Sequence, residues 1–448
     1  MVDDVDPETQ FAWLGDDRIA YQVFGDRDVD LLLASPTGDG IDLRWYWPAY
    51  ADFLRRLGTY ARVITFDRRG AGSSDNPSGQ PLPSWELWAE EARAVLDAAE
   101  SDRAVLFAVA DSGPMSLLFA ASHPLRTRAL ILANTAASFA AANDAGAWDP
   151  MLRLHSTTEE FLMQAWGTRT LAEVAHPDAV RDPAFVRWIL RTELLSYDRR
   201  SASALLAWEA TVDVREALPS VRVPTLVLHR EGCLTTALDH GRYLASHIPG
   251  ARLAVLPGRD VDLFAEPAAE GLQHIEQFLR GLHGVTESDR ALAAVLFTDF
   301  VGSTQHLSAI GDRAWHNLLD SHDVIARTLV EQHGGRLLKT TGDGILATFD
   351  GPGRAIRCAR TLRDALRPLG IEIRAGLHTG EVEFRGDDIA GIAVHIAARV
   401  LNAAAPSELW VSPAVPMLVA GAGFEFEDRG QHTLKGIDGT YQLFAVKA

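Results

Sequence analysis

The sequence predicts two consecutive domains of mixed helix and strand, the first an α/β domain on a parallel sheet and the second an α+β domain. Over residues 12–280, short apolar runs alternate with longer helical patterns. After residue 290 the pattern changes, because two strands follow one another around a single turn. The chain of 448 residues is long enough for both domains, since one domain takes roughly 100–200 residues.

Near-continuous apolar runs define the strands of the first domain. They lie at 30–35, 62–66, 104–109, 129–133, 224–229 and 252–256. Such runs are typical of parallel strands that are buried on both faces, with helices as crossovers. Residues 136–215 interrupt the alternation with mostly helical patterns and carry Trp148, Trp166, Trp188 and Trp208. We predict that this insertion forms a helical cap above the sheet, with its tryptophans in the core or over a pocket.

A short polar stretch, GLHGVTESDR at 281–290, separates the two patterns. We therefore predict a first domain at 1–284, a linker at 285–290 and a second domain at 291–448. The predicted elements of the second domain are strands at 291–298 and 371–378, a hairpin at 334–349, and helices at about 304–333, 353–367 and 390–404. This order is typical of a ferredoxin-like palm, in which helices back an antiparallel sheet.

Composition and charge exclude several classes of protein. Lys and Arg number 42 against 60 Asp and Glu, a net charge of −18, which argues against a nucleic-acid partner. Two cysteines, Cys233 and Cys358, cannot build a disulfide framework or a cysteine-based zinc site. The acidic start MVDDVDPETQ is unlike a secretory signal, and no run of eighteen apolar residues predicts a membrane span. We expect a soluble cytoplasmic protein.

Two aspartates of the second domain stand where strands end. Asp299 closes an apolar strand and is followed by small residues that open a helix, and Asp343 lies between Gly342 and Gly344 at the tip of the hairpin. Taken singly, each is typical of an N-cap or a turn. If the two strands are neighbours, both carboxylates face one point. That arrangement would suit a two-metal site for in-line attack at phosphorus, with backbone N–H groups of the helix start binding phosphate oxygens.

Residues 293–448 resemble the catalytic domain of the class III nucleotidyl cyclases. The resemblance is carried by LFTDFVGST, GGRLLKTTGDGILATF, IRAGLHTGEVEFRGDDIAGIAVHIAARV and TLKGIDGTYQLFAV, in the family order. It implies formation of a cyclic nucleotide and pyrophosphate with two divalent cations, Mg²⁺ or Mn²⁺, in each site. By this resemblance Asp299 and Asp343 are the metal-binding carboxylates, Phe300 supplies a further ligand through its carbonyl, and Gly302, Ser303 and Thr304 contact the nucleotide.

The same resemblance assigns residues that read the purine and stabilise the transition state. Lys339 and Asp388 match the purine-reading pair, and a donor with an acceptor complements adenine, so we expect ATP rather than GTP. Arg399 matches the arginine of the transition state, and Lys435 matches a lysine that contacts the triphosphate. His395 stands where the animal enzymes carry asparagine, and it can still donate a hydrogen bond.

In this family the metal site and the other residues come from opposite subunits. A chain with one such domain therefore predicts a head-to-tail homodimer with two sites.

Residues about 12–280 resemble an α/β-hydrolase, especially the kind fused ahead of bacterial cyclase domains. The segments are RVITFDRRGAGSSD, LFAVADSGPMSLLFAASHP, VPTLVLHREGC and GRYLASHIPGARLAVLPGRDVDLF. Aligned on the family's motifs, Ala110 takes the place of the nucleophile, Cys233 that of the acid and Val261 that of the histidine. We therefore expect no triad catalysis.

An alternative alignment makes Ser112 the nucleophile. It lacks a base, because Asp260 and Asp262 occupy the last loop where a histidine is needed, and a carboxylate is a poor base for serine.

The hypothesis from sequence is an adenylate cyclase with an N-terminal pseudohydrolase that senses a small apolar or ester ligand or acts as a scaffold. Two alternatives stay open: a serine esterase using Ser112, and a catalytically silent nucleotide-binding regulator.

Overall fold

The computed structural model describes residues 6–76, 85–139, 163–209, 212–265, 267–282, 290–303, 311–340, 342–385, 388–437 and 439–447. The chain separates into two compact units, Met1–Ser288 and Asp289–Ala448. Across these described ranges, no helix combines the length and the apolar character that crossing a bilayer requires.

The N-terminal unit is built on one eight-stranded sheet. Its strands are β1 (Gln10–Leu14), β2 (Asp17–Phe24), β3 (Asp30–Ala34), β4 (Arg62–Phe66), β5 (Ala104–Val109), β6 (Thr127–Ala133), β7 (Thr225–Arg230) and β8 (Arg252–Leu256). They are ordered β1-β2-β4-β3-β5-β6-β7-β8, with β1 and β2 antiparallel to their neighbours and the rest parallel. The central strand β5 is buried along its whole length, as a strand covered by helices on both faces must be.

Helices cover this sheet and rise above it. Among the described residues they are α1 (Pro48–Gly58), α2 (Trp85–Ala98), α3 (Gly113–Ser122), α4 (Arg169–Ala175), α5 (Pro183–Ser196), α6 (Arg199–Glu209), α7 (Leu238–His247) and α8 (Ala268–Arg280). Helices α4, α5 and α6 fall in the predicted cap, whose residues 140–162 lie outside the described ranges.

The six apolar runs coincide with β3 to β8, so the predicted α/β fold is confirmed. The β1–β2 hairpin was missed, because its edge strand β1 is mostly exposed and has no continuous apolar run.

The C-terminal unit is a second, mainly antiparallel sheet. Its strands are β9 (Arg290–Phe300), β10 (Gly335–Thr340), β11 (Ile345–Phe349), β12 (Ile373–Arg385), β13 (Asp388–Ala390), β14 (Leu409–Val411), β15 (Phe426–Thr433) and β16 (Thr440–Val446). They run in the order β10-β11-β9-β12-β14-β16-β15, with β13 paired to β12. Only β12 and β14 of these pairs are parallel.

Helices pack on both faces of this sheet. They are α9 (Asp312–Gln332), α10 (Pro352–Leu366), α11 (Ile392–Ala403) and the short α12 (Ala414–Leu418). Side chains alternate along β9, so Ala294 and Leu296 pack with α9 and α10, while Ala293 and Val295 pack with α11. A Cβ at Gly376 on β12 would overlap the backbone nitrogen of Leu401, so glycine there lets α11 lie directly on the sheet.

The α+β architecture expected for this part is confirmed, and each predicted helix and strand has a counterpart. The strand predicted at 371–378 is longer, and β13 to β16 were not predicted. The linker at 285–289 and the start of the helix predicted from 304 lie outside the described residues.

Candidate functional site

The hairpin tip brings Asp343 beside Asp299. Strand β11 pairs with β9 in antiparallel register, and beyond that ladder the backbone N–H of Phe300 donates to the carbonyl of Asp343 at 3.0 Å. A Cβ at Gly344 would overlap the carbonyl oxygen of Thr298 and lie 3.1 Å from Cα of Asp299. The tip can therefore approach the end of β9 only with glycine at position 344.

Arg374 pairs with Asp299 from the neighbouring strand. The two residues are opposite each other in the β9–β12 register, and the guanidinium donates to Oδ2 of Asp299 at 2.7 and 3.1 Å. Sequence reasoning missed this contact, because the two residues are far apart along the chain. The arginine thus places a positive charge beside one of the two carboxylates.

The oxygen donors at this point fit a hard divalent cation. Oδ1 of Asp299 accepts no hydrogen bond, and the half-exposed carboxylate of Asp343 has no ion-pair partner, within the described residues. Two carboxylates with open lone pairs, plus a nearby backbone carbonyl at Phe300, are the ligand type that Mg²⁺ and Mn²⁺ prefer. Among the residues that the structure describes, no three or more His, Cys, Asp or Glu side chains cluster in a way that could hold a metal ion.

Lys339 and Asp388 meet within one chain. The ammonium of Lys339, on β10, lies 3.0 and 3.2 Å from the two carboxylate oxygens of Asp388, on β13. This contact lowers the pKa of Asp388. A bulge between Leu337 and Lys339 shifts the register of β10 and sets Lys339 opposite Leu346, on the face that α11 covers. The structure thus brings together the two residues that sequence reasoning paired.

His395 and Arg399 share the outer side of α11. His395 is exposed and Arg399 is half-buried, while Ile392, one turn before His395, is 60% exposed. The Arg399 guanidinium donates through Nε to the carbonyl of Lys435 at 3.0 Å, which ties the helix to the loop before β16. Neither side chain hydrogen-bonds to Asp299 or Asp343 within the described residues.

The predicted nucleotide-binding helix start is only partly described. Gly302 has a φ of +71°, and the backbone N–H of Val301 donates to the carbonyl of Glu372 at 2.9 Å, so the chain turns sharply after β9. Ser303 is the last residue described before the gap, and Thr304 lies outside the described residues.

In the N-terminal unit, Ala110 occupies a sharp turn between β5 and α3. Its φ of +51° is rare for a residue with a Cβ. In α/β-hydrolases, a strained strand-to-helix turn of this kind exposes the nucleophile. Ala110 and Val261 line one cavity of about 140 Å³. Cys233 is buried, with its Sγ 3.3 Å from Oγ1 of Thr235.

Ser112 is buried below this turn. It is 1% exposed, and its hydroxyl exchanges hydrogen bonds with backbone groups of Val109 and Ala34 at 2.7–2.9 Å. It is not among the residues that line the cavity. A serine held in this way stabilises the turn and is not presented to a substrate.

The carboxylate of Asp111 accepts a backbone hydrogen bond from the loop after β3. Its two oxygens each lie 3.1 Å from the backbone nitrogen of Thr37, in the loop after β3, and Arg68 donates to Oδ2 at 2.7 Å. Hydrolases of this fold use the residue after the nucleophile and the loop after β3 to stabilise an oxyanion. Here that loop N–H is already bound to an acceptor of the chain itself.

A histidine that sequence reasoning missed also lines the cavity. His176 follows α4, and its Nε2 lies 3.6 Å from Oδ2 of Asp262. Burial lowers the pKa of His176 to about 3 and raises that of Asp262 to about 8. Burial thus disfavours the charged form of each group. The residue was missed because it belongs to the cap and not to the last loop, where a triad histidine is sought.

Comparison with known proteins finds two families along the chain. Residues 45–242 match the family described as serine aminopeptidase, S33, and residues 286–448 match the adenylate and guanylate cyclase catalytic domain. The protein "Putative adenylate cyclase 3" of Rhizobium meliloti (strain 1021) is 31% identical over 159 residues, which are 33% of this chain and 27% of that protein. An adenylate cyclase of Streptomyces coelicolor is 33% identical over 131 residues, 28% of this chain and 33% of that protein.

The chain thus spans about a quarter to a third of the length of these relatives. Among solved structures, the esterase RhEst1 from Rhodococcus sp. ECU1013 superposes with a TM-score of 0.52 and 20% identity, over 62% of this chain and all of that one. At this identity the likeness concerns the fold alone. The chain therefore carries an α/β-hydrolase domain ahead of a catalytic domain of the adenylate and guanylate cyclase family.

Proposed function

We propose that the C-terminal unit is an adenylate cyclase, which converts ATP to 3′,5′-cyclic AMP and pyrophosphate with two divalent cations, Mg²⁺ or Mn²⁺. The observation that carries the proposal is the apposition of Asp299 and Asp343, held by the Phe300 hydrogen bond to the hairpin tip. The family match and the relatives named adenylate cyclase support it. Because ATP is supplied inside cells, we expect the protein to act in the cytoplasm.

The reaction forms one P–O bond and breaks another. The ribose 3′-oxygen attacks the α-phosphorus and loses its proton to solvent, and the bond from the α-phosphorus to the bridging oxygen breaks as pyrophosphate leaves. The divalent cations, when bound, lower the pKa of the attacking hydroxyl and neutralise phosphate charge. Asp299 and Asp343 would hold them, with the carbonyl of Phe300. Gly302, Ser303 and Thr304 would contact the phosphates of the nucleotide.

Cationic side chains complement the charge that grows on the phosphates. Arg374 already lies against Asp299 and would reach the phosphates from the same side. Arg399 and Lys435 would stabilise charge on the transferred group and on the leaving pyrophosphate, and His395 would donate a hydrogen bond there.

Selection of adenine would rest on Lys339 and Asp388. Lys339 can donate to N1 of adenine, while Asp388 can accept from the 6-amino group. Guanine presents the opposite pattern, a donor at N1 and an acceptor at O6. Lys339 would then face an acceptor only at the wrong position and meet a donor at N1, while Asp388 would meet the acceptor O6, so neither hydrogen bond would form.

Two copies of the chain would complete each site. His395, Arg399 and the exposed Ile392 lie on the outer side of α11, where a second copy could present its Asp299 and Asp343. We propose a head-to-tail homodimer with two equivalent sites.

The N-terminal unit is proposed to be a pseudohydrolase with a regulatory role. Ala110 supplies no nucleophilic oxygen, Val261 no base, and Asp111 occupies the loop N–H that would stabilise an oxyanion. Burial of Ser112 argues against the alternative that the N-terminal unit is a serine esterase using this residue. The apposed carboxylates of Asp299 and Asp343 argue against a catalytically silent regulator.

The test is cyclic nucleotide formation by the purified full chain, from ATP and from GTP, with Mn²⁺ or Mg²⁺. An Asp343→Ala variant serves as the blank. Metal-dependent cyclic AMP formation that vanishes in the variant supports the proposal. Silence with both nucleotides and both metals would contradict it, and an equal rate with GTP would contradict the purine assignment.

A further inference from the structure

Thr298 places a hydroxyl in an otherwise apolar row of β9, directly before Asp299. Its neighbours on the same face of the strand belong to one apolar core with α9 and α10; they are Ala294, Leu296 and Phe300. Thr298 itself is 1% exposed. A buried hydroxyl costs free energy unless it is hydrogen-bonded, and a valine would fill the same space without that cost. The hydroxyl therefore calls for a role other than packing.

This hydroxyl extends the pairing between β9 and β11. The last pair of their ladder is Leu346 opposite Phe297. At the next position the backbone N–H of Ile345 donates to Oγ1 of Thr298 at 3.2 Å. Because Ile345 has no exposed surface, water cannot take the place of this acceptor. The side chain of Thr298 thus binds the strand β11 where the hairpin tip begins.

The hairpin tip is fixed to β9 at both of its ends. At one end the N–H of Ile345 is bound by Thr298, and at the other the N–H of Phe300 donates to the carbonyl of Asp343 at 3.0 Å. Between them, Gly344 lies so close to β9 that an added Cβ would overlap the carbonyl oxygen of Thr298. The Phe300 contact is made by backbone groups alone. Only the Thr298 contact depends on which side chain the sequence supplies.

The other carboxylate of the pair is held from the opposite strand. Arg374 on β12 donates to Oδ2 of Asp299 at 2.7 and 3.1 Å. Asp299 is therefore positioned by β12, whereas Asp343 is positioned by the contacts of the tip with β9. The separation of the two carboxylates depends on both sets of contacts, and the Thr298 hydroxyl belongs to the second.

We propose that Thr298 is a positioning residue for the metal site: its hydroxyl holds the hairpin tip so that the carboxylate of Asp343 meets that of Asp299. Thr298 acts through Asp343 and not on the substrate. The inference deepens the proposed cyclase function and rests on its two-carboxylate metal site. Without the hydroxyl the buried N–H of Ile345 loses this acceptor and the tip shifts, so the carboxylates bind a divalent cation less tightly.

The experiment titrates Mn²⁺ into the purified full chain without nucleotide and follows the electron paramagnetic resonance signal of the free ion. Thr298→Val removes the hydroxyl and keeps the branched shape, whereas Thr298→Ser keeps the hydroxyl. We expect Thr298→Val to bind Mn²⁺ about tenfold more weakly than the wild type, since loss of an outer-shell partner typically costs about 10–100-fold in metal affinity. Thr298→Ser should bind as the wild type does. Unchanged affinity in Thr298→Val would overturn the proposal.

A second pair of variants repeats the comparison in a smaller side chain. Thr298→Ala and Thr298→Ser differ by the hydroxyl oxygen alone, so their affinities for Mn²⁺ should differ by the same factor as those of Thr298→Val and the wild type. This pair decides the question if Thr298→Val does not fold, which urea denaturation of each variant reveals. Equal affinity of Thr298→Ala and Thr298→Ser would count against the hydroxyl.

The matched control is Thr348→Val, at another buried threonine of the same two strands. Thr348 is 5% exposed and lies opposite Val295 in the β9–β11 register. Its replacement should leave the affinity for Mn²⁺ unchanged. A loss equal to that of Thr298→Val would assign the effect to general loosening of the sheet and would overturn the positioning role.

Asp343→Ala distinguishes failure of this inference from failure of the proposed function. If the wild type binds Mn²⁺ no better than Asp343→Ala, the proposed metal site is rejected, and the role of Thr298 with it. If the wild type binds more tightly than Asp343→Ala and Thr298→Val binds as the wild type does, only the role of Thr298 is rejected. Weak binding in both Asp343→Ala and Thr298→Val, with the wild-type affinity in Thr298→Ser, supports the inference.

Discussion

Lys339 and Asp388 form an ion pair within one chain, with the ammonium 3.0 and 3.2 Å from the two carboxylate oxygens. Their side chains are 50% and 59% exposed, and exposed pairs contribute little to stability. The pair therefore adds little to folding, and the proposed function gives it a role in recognition. In the proposed site it holds a donor and an acceptor side by side for the edge of adenine.

Exchanging the two residues should invert the preference for the purine. We expect Lys339→Asp combined with Asp388→Lys to lower the ratio of kcat/KM for ATP to that for GTP by about tenfold or more, because each mismatched hydrogen bond costs about 1–3 kcal/mol. Steady-state kinetics with both nucleotides measure the ratio. Arg290→Glu combined with Glu383→Arg exchanges another ion pair of this unit and should leave the ratio unchanged. An unaltered ratio in the first double variant would exclude a purine-reading role.

Mixed dimers test whether two chains build each site. Asp343→Ala and Arg399→Ala should each be inactive alone, because every site in either homodimer lacks one residue. After the two variants are mixed and allowed to exchange subunits, half of the dimers are mixed and carry one complete site. A two-fold dimer has two sites, so one complete site in half of the dimers amounts to a quarter of all sites. We therefore expect recovery of about a quarter of the wild-type rate. Mixing Asp343→Ala with Asp299→Ala should restore nothing. Recovery in that control, or none in the first mixture, contradicts the proposed assembly.

Much of the fold could be predicted from the sequence, because buried parallel strands require continuous apolar runs. Strands such as Ala104–Val109 are buried on both faces and leave no polar position to obscure the pattern. The edge strand Gln10–Leu14 is mostly exposed, so its composition carries little signal. Pairing between strands that are far apart along the chain could not be predicted from the sequence either. This pairing decides which strands of the C-terminal sheet are neighbours.

For the candidate sites too, local patterns could be predicted from the sequence, whereas contacts between distant parts of the chain could not. Asp299 and Asp343 could be proposed because each stands at the end of a strand or the tip of a hairpin. The contact of Arg374 with Asp299 depends on the register between two strands, which sequence alone does not fix. The approach of His176 to Asp262 depends on how the cap folds over the sheet.

Removing the hydroxyl of Ser112 should affect stability and not activity. Its oxygen bonds to backbone groups of Val109 and Ala34 inside the protein. We expect Ser112→Ala to lower the free energy of unfolding by about 1–3 kcal/mol, since buried backbone groups lose their partner. Urea denaturation of the full chain measures it, with Ser246→Ala on the exposed face of α7 as the control. The variant should also leave any trace hydrolysis of p-nitrophenyl acetate unchanged. Loss of such hydrolysis would support the alternative hypothesis, in which Ser112 is the nucleophile of an esterase.

Enlarging Gly344 should separate the two carboxylates. A Cβ there would overlap the carbonyl oxygen of Thr298, so Gly344→Ala must push the hairpin tip away from β9. We expect a tenfold or greater loss of kcat and a higher Mn²⁺ concentration for half-maximal activity, because the geometry of a two-metal site tolerates little displacement. Gly342→Ala is the comparison: its φ of +94° also disfavours alanine, but no atom lies within 4 Å of the added Cβ. Equal losses in the two variants would show that strain, and not displacement, is responsible.

The stability of the C-terminal unit should depend on pH through His378. Its ring lies 2.6 Å from Oγ of Ser412, and burial lowers the pKa of the imidazole to about 4, from 6.5. Between these values the unfolded chain binds a proton that the folded chain does not. The stability that the neutral ring provides is therefore fully present above pH 6.5 and is lost progressively as the pH falls toward 4.

At pH 5 this loss amounts to about 2 kcal/mol relative to pH 7, from the difference between the two pKa values. His378→Asn keeps a group that can bond to Ser412 but does not titrate in this range, so its free energy of unfolding should fall less between pH 7 and pH 5 than that of the wild type. Urea denaturation of both proteins at the two pH values gives the difference. His316→Asn, at an exposed position on α9, should behave as the wild type does. Identical pH dependence in His378→Asn and the wild type would mean that the ring becomes protonated in the folded protein as readily as in the unfolded chain.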